Sequence, residues 1–134
     1  MLSGDDFNRW VVRPTQELVK RLKAKFPHIP IIGFPREAGA GYVDYLTHTG
    51  VDAVGIDQGV NLDTAKQWQK IKPLQGNLDP EILVRGGKEM LLAVEKIITT
   101  LGPRHIFNLG HGVVPQTPPE HVAELVKFVR EFKA

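Results

Sequence analysis

At 134 residues the chain makes one domain at most, with enough material for a hydrophobic core but too little for any complete barrel. Hydrophobic residues at 42% and charged ones at 24% argue against disorder, and 17 basic against 15 acidic residues mark neither a nucleic-acid nor a membrane surface, favouring anionic ligands only mildly. The absence of cysteine excludes disulfides, thiolate catalysis and cysteine-ligated metals, and without a signal core or a span of ~20 apolar residues the expectation is a soluble, unexported protein of the reducing cytoplasm.

Ser3 and Asp6 have the spacing of a helix cap, and Phe7, Trp10 and Val11 then share a face. Pro14 is expected to end that helix and to open a second one over residues 15–26, with Leu18, Val19 and Leu22 inward and Lys20, Arg21, Lys23 and Lys25 outward. Residues 30–34 read as a strand buried on both faces, followed by a loop over residues 35–41. Residues 42–49 form a short helix stopped by Gly50, and residues 51–56 a second strand ending in Asp57-Gln58-Gly59. Asn61 caps a helix over residues 62–68, with Ala65 and Trp68 inward. Pro73-Leu74-Gln75 is a very short third strand, and Asp79 with Pro80 and Glu81 marks the next helix start. After Gly86-Gly87 the longest helix runs to Leu101 with Leu91, Val94, Ile98 and Leu101 on its inner face.

The fourth strand carries Ile106, Phe107 and Leu109 and opens into Gly110-His111-Gly112, whose glycines permit backbone angles closed to other residues and present His111 at the strand's carboxyl end. Thr117 and Glu120 have capping-box spacing for a last helix over residues 119–132, with Val122, Leu125, Val129 and Phe132 inward. Four strands alternating with helices imply an α/β fold of four βα units with parallel strands. That is about half of a (β/α)8 barrel, which typically takes ~250 residues, although an open doubly wound sheet would use the same local signals.

Each strand ends in polar or glycine residues: Arg36 and Glu37, Asp57 and Gln58, Gln75 and Asn77, Asn108 and His111. In parallel α/β folds these carboxyl ends share one rim, where sites are built, yet turn chemistry and capping explain any one of them equally well. A lone histidine in a loop is likewise more often a hydrogen-bonded loop residue than a ligand. No Gly-x-Gly-x-x-Gly or Gly-Lys-Ser/Thr loop follows a strand, the five histidines lack close metal-ligand spacing, and Ser3 is the only serine. Nucleotide, metal and serine-triad chemistry therefore have no support here.

Phe107-Asn108-Leu109-Gly110-His111-Gly112-Val113, preceded in order by Pro30-Ile31-Ile32-Gly33-Phe34 with Arg36, Gly39 and Gly41, by Gly55-Ile56-Asp57 and by Leu74-Gln75-Gly76-Asn77-Leu78-Asp79-Pro80, closely resembles the uroporphyrinogen decarboxylase family. The resemblance covers essentially the whole chain and implies that residues 1–134 are a single partial domain, the C-terminal half of a (β/α)8 barrel. It further implies removal of carbon dioxide from the four acetate arms of uroporphyrinogen III, a tetrapyrrole polycarboxylate, to give coproporphyrinogen III in haem biosynthesis. Neither metal nor organic cofactor is implied, and the full-length protein would be a homodimer. The family's Gly-His-Gly histidine contacts substrate, a role that falls on His111 flanked by Gly110 and Gly112, with Arg36 as a second cation for the carboxylates.

The family's arginine-rich loop, its pyrrole-binding aspartate and its tyrosine lie in a half of the barrel this sequence does not contain, and its Asp-Ser/Thr-Trp segment would end just before Met1. The main catalytic groups thus fall outside these residues, and the chain is expected to be inactive alone. Gln58 stands where many members carry tryptophan. A related methyltransferase branch holds zinc with histidine and cysteine, which a chain without cysteine does not match. The competing expectation is a noncatalytic anion-binding half-barrel.

Overall fold

A computed structural model describes Leu2 and residues 4–132. The cap expected from Ser3 lies outside the described residues. The elements run α1 (Gly4–Phe7), a π-helical turn (Asn8–Val12), α2 (Arg13–Lys25), β1 (Ile32–Gly33), α3 (Gly41–His48), β2 (Ala53–Gly55) and α4 (Leu62–Trp68). They continue with β3 (Leu74–Leu78), α5 (Pro80–Arg85), α6 (Gly87–Leu101), a 3-10 turn (Gly102–Arg104), β4 (His105–Leu109) and α7 (Pro119–Glu131).

The first helical stretch does not end at Pro14. The Arg13 N–H reaches back five residues to the Asn8 carbonyl, and this wide turn restarts the ladder so that Pro14 sits in the first turn of α2, where its missing N–H is not needed. The restart also changes which side chains face inward. Phe7, Val12 and Val19 are buried, whereas Leu18 and Leu22, expected inside, are exposed, as is Trp10, expected to share a face with Phe7. At the far end of α2 the Lys23 ammonium bonds the Asp52 carboxylate at 2.6 Å and the Ile29 carbonyl at 3.0 Å, and Asp52 also accepts from the Ile31 N–H. These contacts, the lysine first, hold the Asp52 carboxyl below the usual carboxylate range and tie the helix to the entry of both β1 and β2.

All four strands are parallel in the order β1-β2-β3-β4. Consecutive order separates the two architectures that periodicity left open, because a doubly wound sheet reverses its strand order at a switch point and this one does not. Right-handed crossovers all taken in one direction place the helices on one side of the sheet. On that side lie Val54, Leu74 and Leu78, packed with Leu83, Met90, Val94, Ile97, Leu101 and Leu125. The inner stripe of α6 is therefore Met90, Val94, Ile97 and Leu101 rather than Leu91, Val94, Ile98 and Leu101.

The opposite face is open. Ile32, Phe34 and Ile106 are 44%, 48% and 42% exposed, so the first strand is not buried on both faces, and only Ile32 and Gly33 of the expected 30–34 span pair with β2. β3 by contrast extends beyond Gln75 to Leu78, matching β4 residue for residue from Leu74↔His105 to Leu78↔Leu109. At the β4 edge an apolar groove of about 390 Å³ runs between the strand and α7, with Phe107, Leu109, Val122, Leu125 and Val129 in its walls. Among the described residues no helix is long and apolar enough to cross a membrane.

Candidate functional site on the carboxyl rim

Parallel pairing puts the loops after all four strands on one rim. The β4 loop is seated first: the Gly110 N–H donates to the Leu78 carbonyl at 2.8 Å, and the Gly110 backbone presses against the Asp57–Gln58 peptide. A Cβ at Gly110 would collide with the Gln58 N and Cα, so glycine is required by close approach. The expected reason, unusual backbone angles, does not hold, since neither Gly110 nor Gly112 has a positive φ and a Cβ at Gly112 would meet nothing.

His111 follows directly, partly exposed, its Nδ1 3.1 Å from the Gly112 carbonyl. A carbonyl only accepts, so the contact needs the hydrogen on Nδ1 and leaves Nε2 to meet a ligand. With Phe34, Gly55, Gln75, Asn108 and Gly112 it lines a cavity of about 230 Å³ on the open face of the sheet. Gly55 leaves room for the Phe34 ring, which a Cβ there would touch at 2.9 Å. The cavity thus has an apolar aromatic floor, two carboxamides and one imidazole.

Arg36 stands apart. It lines a second hollow of about 320 Å³ with Phe7, Val11, Pro35 and Glu37, and its guanidinium pairs with the Glu37 carboxylate at 3.1 Å. Both groups are more than half exposed, so the pair is weak and open to exchange with another anion.

Between these two points lies a buried brace that sequence reasoning did not assemble. The Asp57 carboxylate accepts from the Tyr42 hydroxyl at 2.8 Å, the Glu37 N–H at 3.0 Å and the Gly59 N–H at 2.9 Å. Tyr42 in turn accepts from the Asp57 N–H at 3.2 Å. Burial, and then the hydrogen bond to Asp57, hold the Tyr42 phenol well above its ordinary pKa. Asn77 donates through Nδ2 to the carbonyls of Asp57 at 3.1 Å and Val60 at 2.9 Å, two acceptors that fix its amide orientation and leave its buried Oδ1 without a protein partner. Asp57 and Asn77 were rim candidates by position, but nothing in the sequence singles out Tyr42.

Other polar residues prove local. Asn61 and Asp79 cap α4 and α5, accepting from the Asp63 and Glu81 N–H groups. The expected Thr117–Glu120 capping box is absent: Pro118 occupies the cap position and the Thr117 hydroxyl is buried without a partner. His121 donates from Nδ1 to the Leu83 and Val84 carbonyls at 3.0 and 3.1 Å, closing the end of α5.

Sequential parallel βα units and an open inner face define the class as part of a (β/α)8 barrel. Residues 1–132 match the model of the family described as uroporphyrinogen decarboxylase (URO-D). The chain belongs to that family. It is 47% identical over 132 residues to the uroporphyrinogen decarboxylase of Rhodospirillum rubrum, with 97% of this chain and 38% of the relative covered. The proteins of that name from Granulibacter bethesdensis and from the Wolbachia of Brugia malayi are 48% and 47% identical at the same coverages. The chain therefore spans about 38% of the length of the relatives it matches, in their C-terminal portion.

Proposed function

We propose that this chain is the C-terminal portion of a uroporphyrinogen decarboxylase, a cofactor-independent carboxy-lyase that converts uroporphyrinogen III to coproporphyrinogen III. Its part in that reaction is one wall of the substrate pocket. The observation that carries the reading is His111, presented by a seated glycine at the carboxyl end of β4 above an aromatic floor.

The chemistry sets two needs. The acetate carboxylates must be met by cations or N–H donors. Positive charge must also be stabilised on the pyrrole while the carbon–carbon bond to the departing carbon dioxide breaks. His111 serves the first through its imidazole, and Arg36 serves it at the outer rim by exchanging Glu37 for a substrate carboxylate. The Phe34 ring offers an apolar face to the macrocycle. The second need is assigned to the part of the barrel that precedes this match in the relatives, as is the homodimer. The cytoplasm is the proposed compartment.

The test is a graft in which this chain replaces the matching portion of the Rhodospirillum rubrum relative. The graft should decarboxylate uroporphyrinogen. His111→Ala and Arg36→Ala should each weaken substrate binding about 10- to 100-fold, the range for a hydrogen bond to a charged group. Lys20→Ala, on an exposed face of α2, should change nothing; Lys23 is unsuitable as a control because it holds Asp52. A folded but inactive graft, or equal losses at all three positions, would favour the noncatalytic anion-binding half-barrel.

A further inference from the structure

The backbone of the turn over residues 57–60 packs against Gly110 at the start of the His111 loop, and side chains from α3 and β3 hold that turn. Asn77, from the end of β3, takes the carbonyls at both its ends, Asp57 and Val60. Tyr42, from α3, takes the Asp57 carboxylate and receives the Asp57 N–H, and Glu37 and Gly59 supply further N–H donors. Against the peptide so fixed lies Gly110, with no space for even one methyl group between them. His111 is the next residue.

We propose that Asn77 and Tyr42 are positioning residues for His111: by clamping the 57–60 turn they set the surface on which Gly110 seats and so fix where the imidazole stands over the cavity. The clamp draws on three consecutive βα units, so a shift in any one reaches the fourth. Neither side chain needs to touch the ligand. The consequence for binding rests on the proposed role of His111; the positioning itself does not.

The experiment follows the imidazole directly. In the graft described above, with 13C-labelled histidine, the His111 ring signal is identified by its loss in His111→Ala and is then recorded in Asn77→Asp and Tyr42→Phe. Both substitutions keep side-chain size while removing the clamp's donors. In each, the His111 ring signal should move, while those of His28, His48 and His121, which lie off the brace, stay in place. Uroporphyrin, the stable oxidised octacarboxylate, serves as the binding probe and should lose about tenfold in affinity, the low end for one displaced charged hydrogen bond. If one variant does not fold, the other carries the test. Folded variants with an unmoved His111 signal overturn the proposal. A moved signal with unaltered uroporphyrin binding, in these variants and in His111→Ala alike, upholds the positioning and refutes the assignment of His111 as a ligand contact.

Discussion

His105 opens β4 with its ring half-buried, Nε2 donating to the Gly76 carbonyl and the ring meeting Phe107 edge-on at 6.1 Å between centroids. Burial lowers its pKa from the ordinary value of about 6.5, and the Gly76 contact offsets only part of that. On acidification the unfolded imidazole therefore protonates before the folded one. Stability is complete above about pH 6.5 and falls as the pH drops through that value toward the lowered folded pKa. The urea midpoint of the graft into the Rhodospirillum rubrum relative should be lower at about pH 5.5 than at about pH 7.5, and His105→Gln should narrow the gap. An unchanged gap would contradict the burial argument. At this scale the sequence shows which residues stand on the rim, because strand ends and glycines are local signals. It does not show the brace, since Tyr42 and Asp57 are 15 positions apart and Asn77 lies 20 beyond Asp57. The role of Gly110 was legible as a glycine but not as a contact with Gln58.

Among elements, the caps that could be read were those in which a side chain reaches its own helix. Asp79 and Asn61 each sit at a residue with extended backbone and bond the N–H two positions on. Thr117 has the right spacing to Glu120, yet two prolines follow it and the helix starts one residue too late for its hydroxyl to serve. The two cases predict opposite results by denaturant melting of the graft into the Rhodospirillum rubrum relative. Asp79→Ala should cost about 1 kcal/mol, the usual loss of a cap. Thr117→Val should be neutral or stabilising, because it removes a buried hydroxyl that has no partner. A loss of about 1 kcal/mol at Thr117 would restore the capping box. Near the N-terminus the wide turn over residues 8–12 puts Val12 rather than Trp10 inside with Phe7, and within α2 only Val19 of the expected inward residues Leu18, Val19 and Leu22 is buried.

For the whole molecule, the parallel order and the alternation of elements were readable, because each strand and helix is punctuated by glycine, proline or a cap. Which face lies open was not, because a half-barrel strand and a sandwiched strand share an apolar composition. The open face carries Ile32, Phe34 and Ile106, and among the described residues β1 pairs only with β2 and β4 only with β3. Both outer edges thus offer unpaired N–H and C=O groups beside apolar side chains, and the β4 edge adds the groove against α7. Leaving on the order of 300 Å² of such surface wet forgoes about 7.5 kcal/mol at roughly 25 cal/mol per Å². A domain's total stability is about 5–15 kcal/mol, so that loss is enough to drive association. Sedimentation velocity of the 134-residue chain at micromolar concentration, paired with a thermal melt, tests this most directly. The half-barrel account predicts dimers or larger species and no sharply melting monomer. A single monomeric species with a sharp cooperative melt would contradict it and show a sheet that needs no opposite wall.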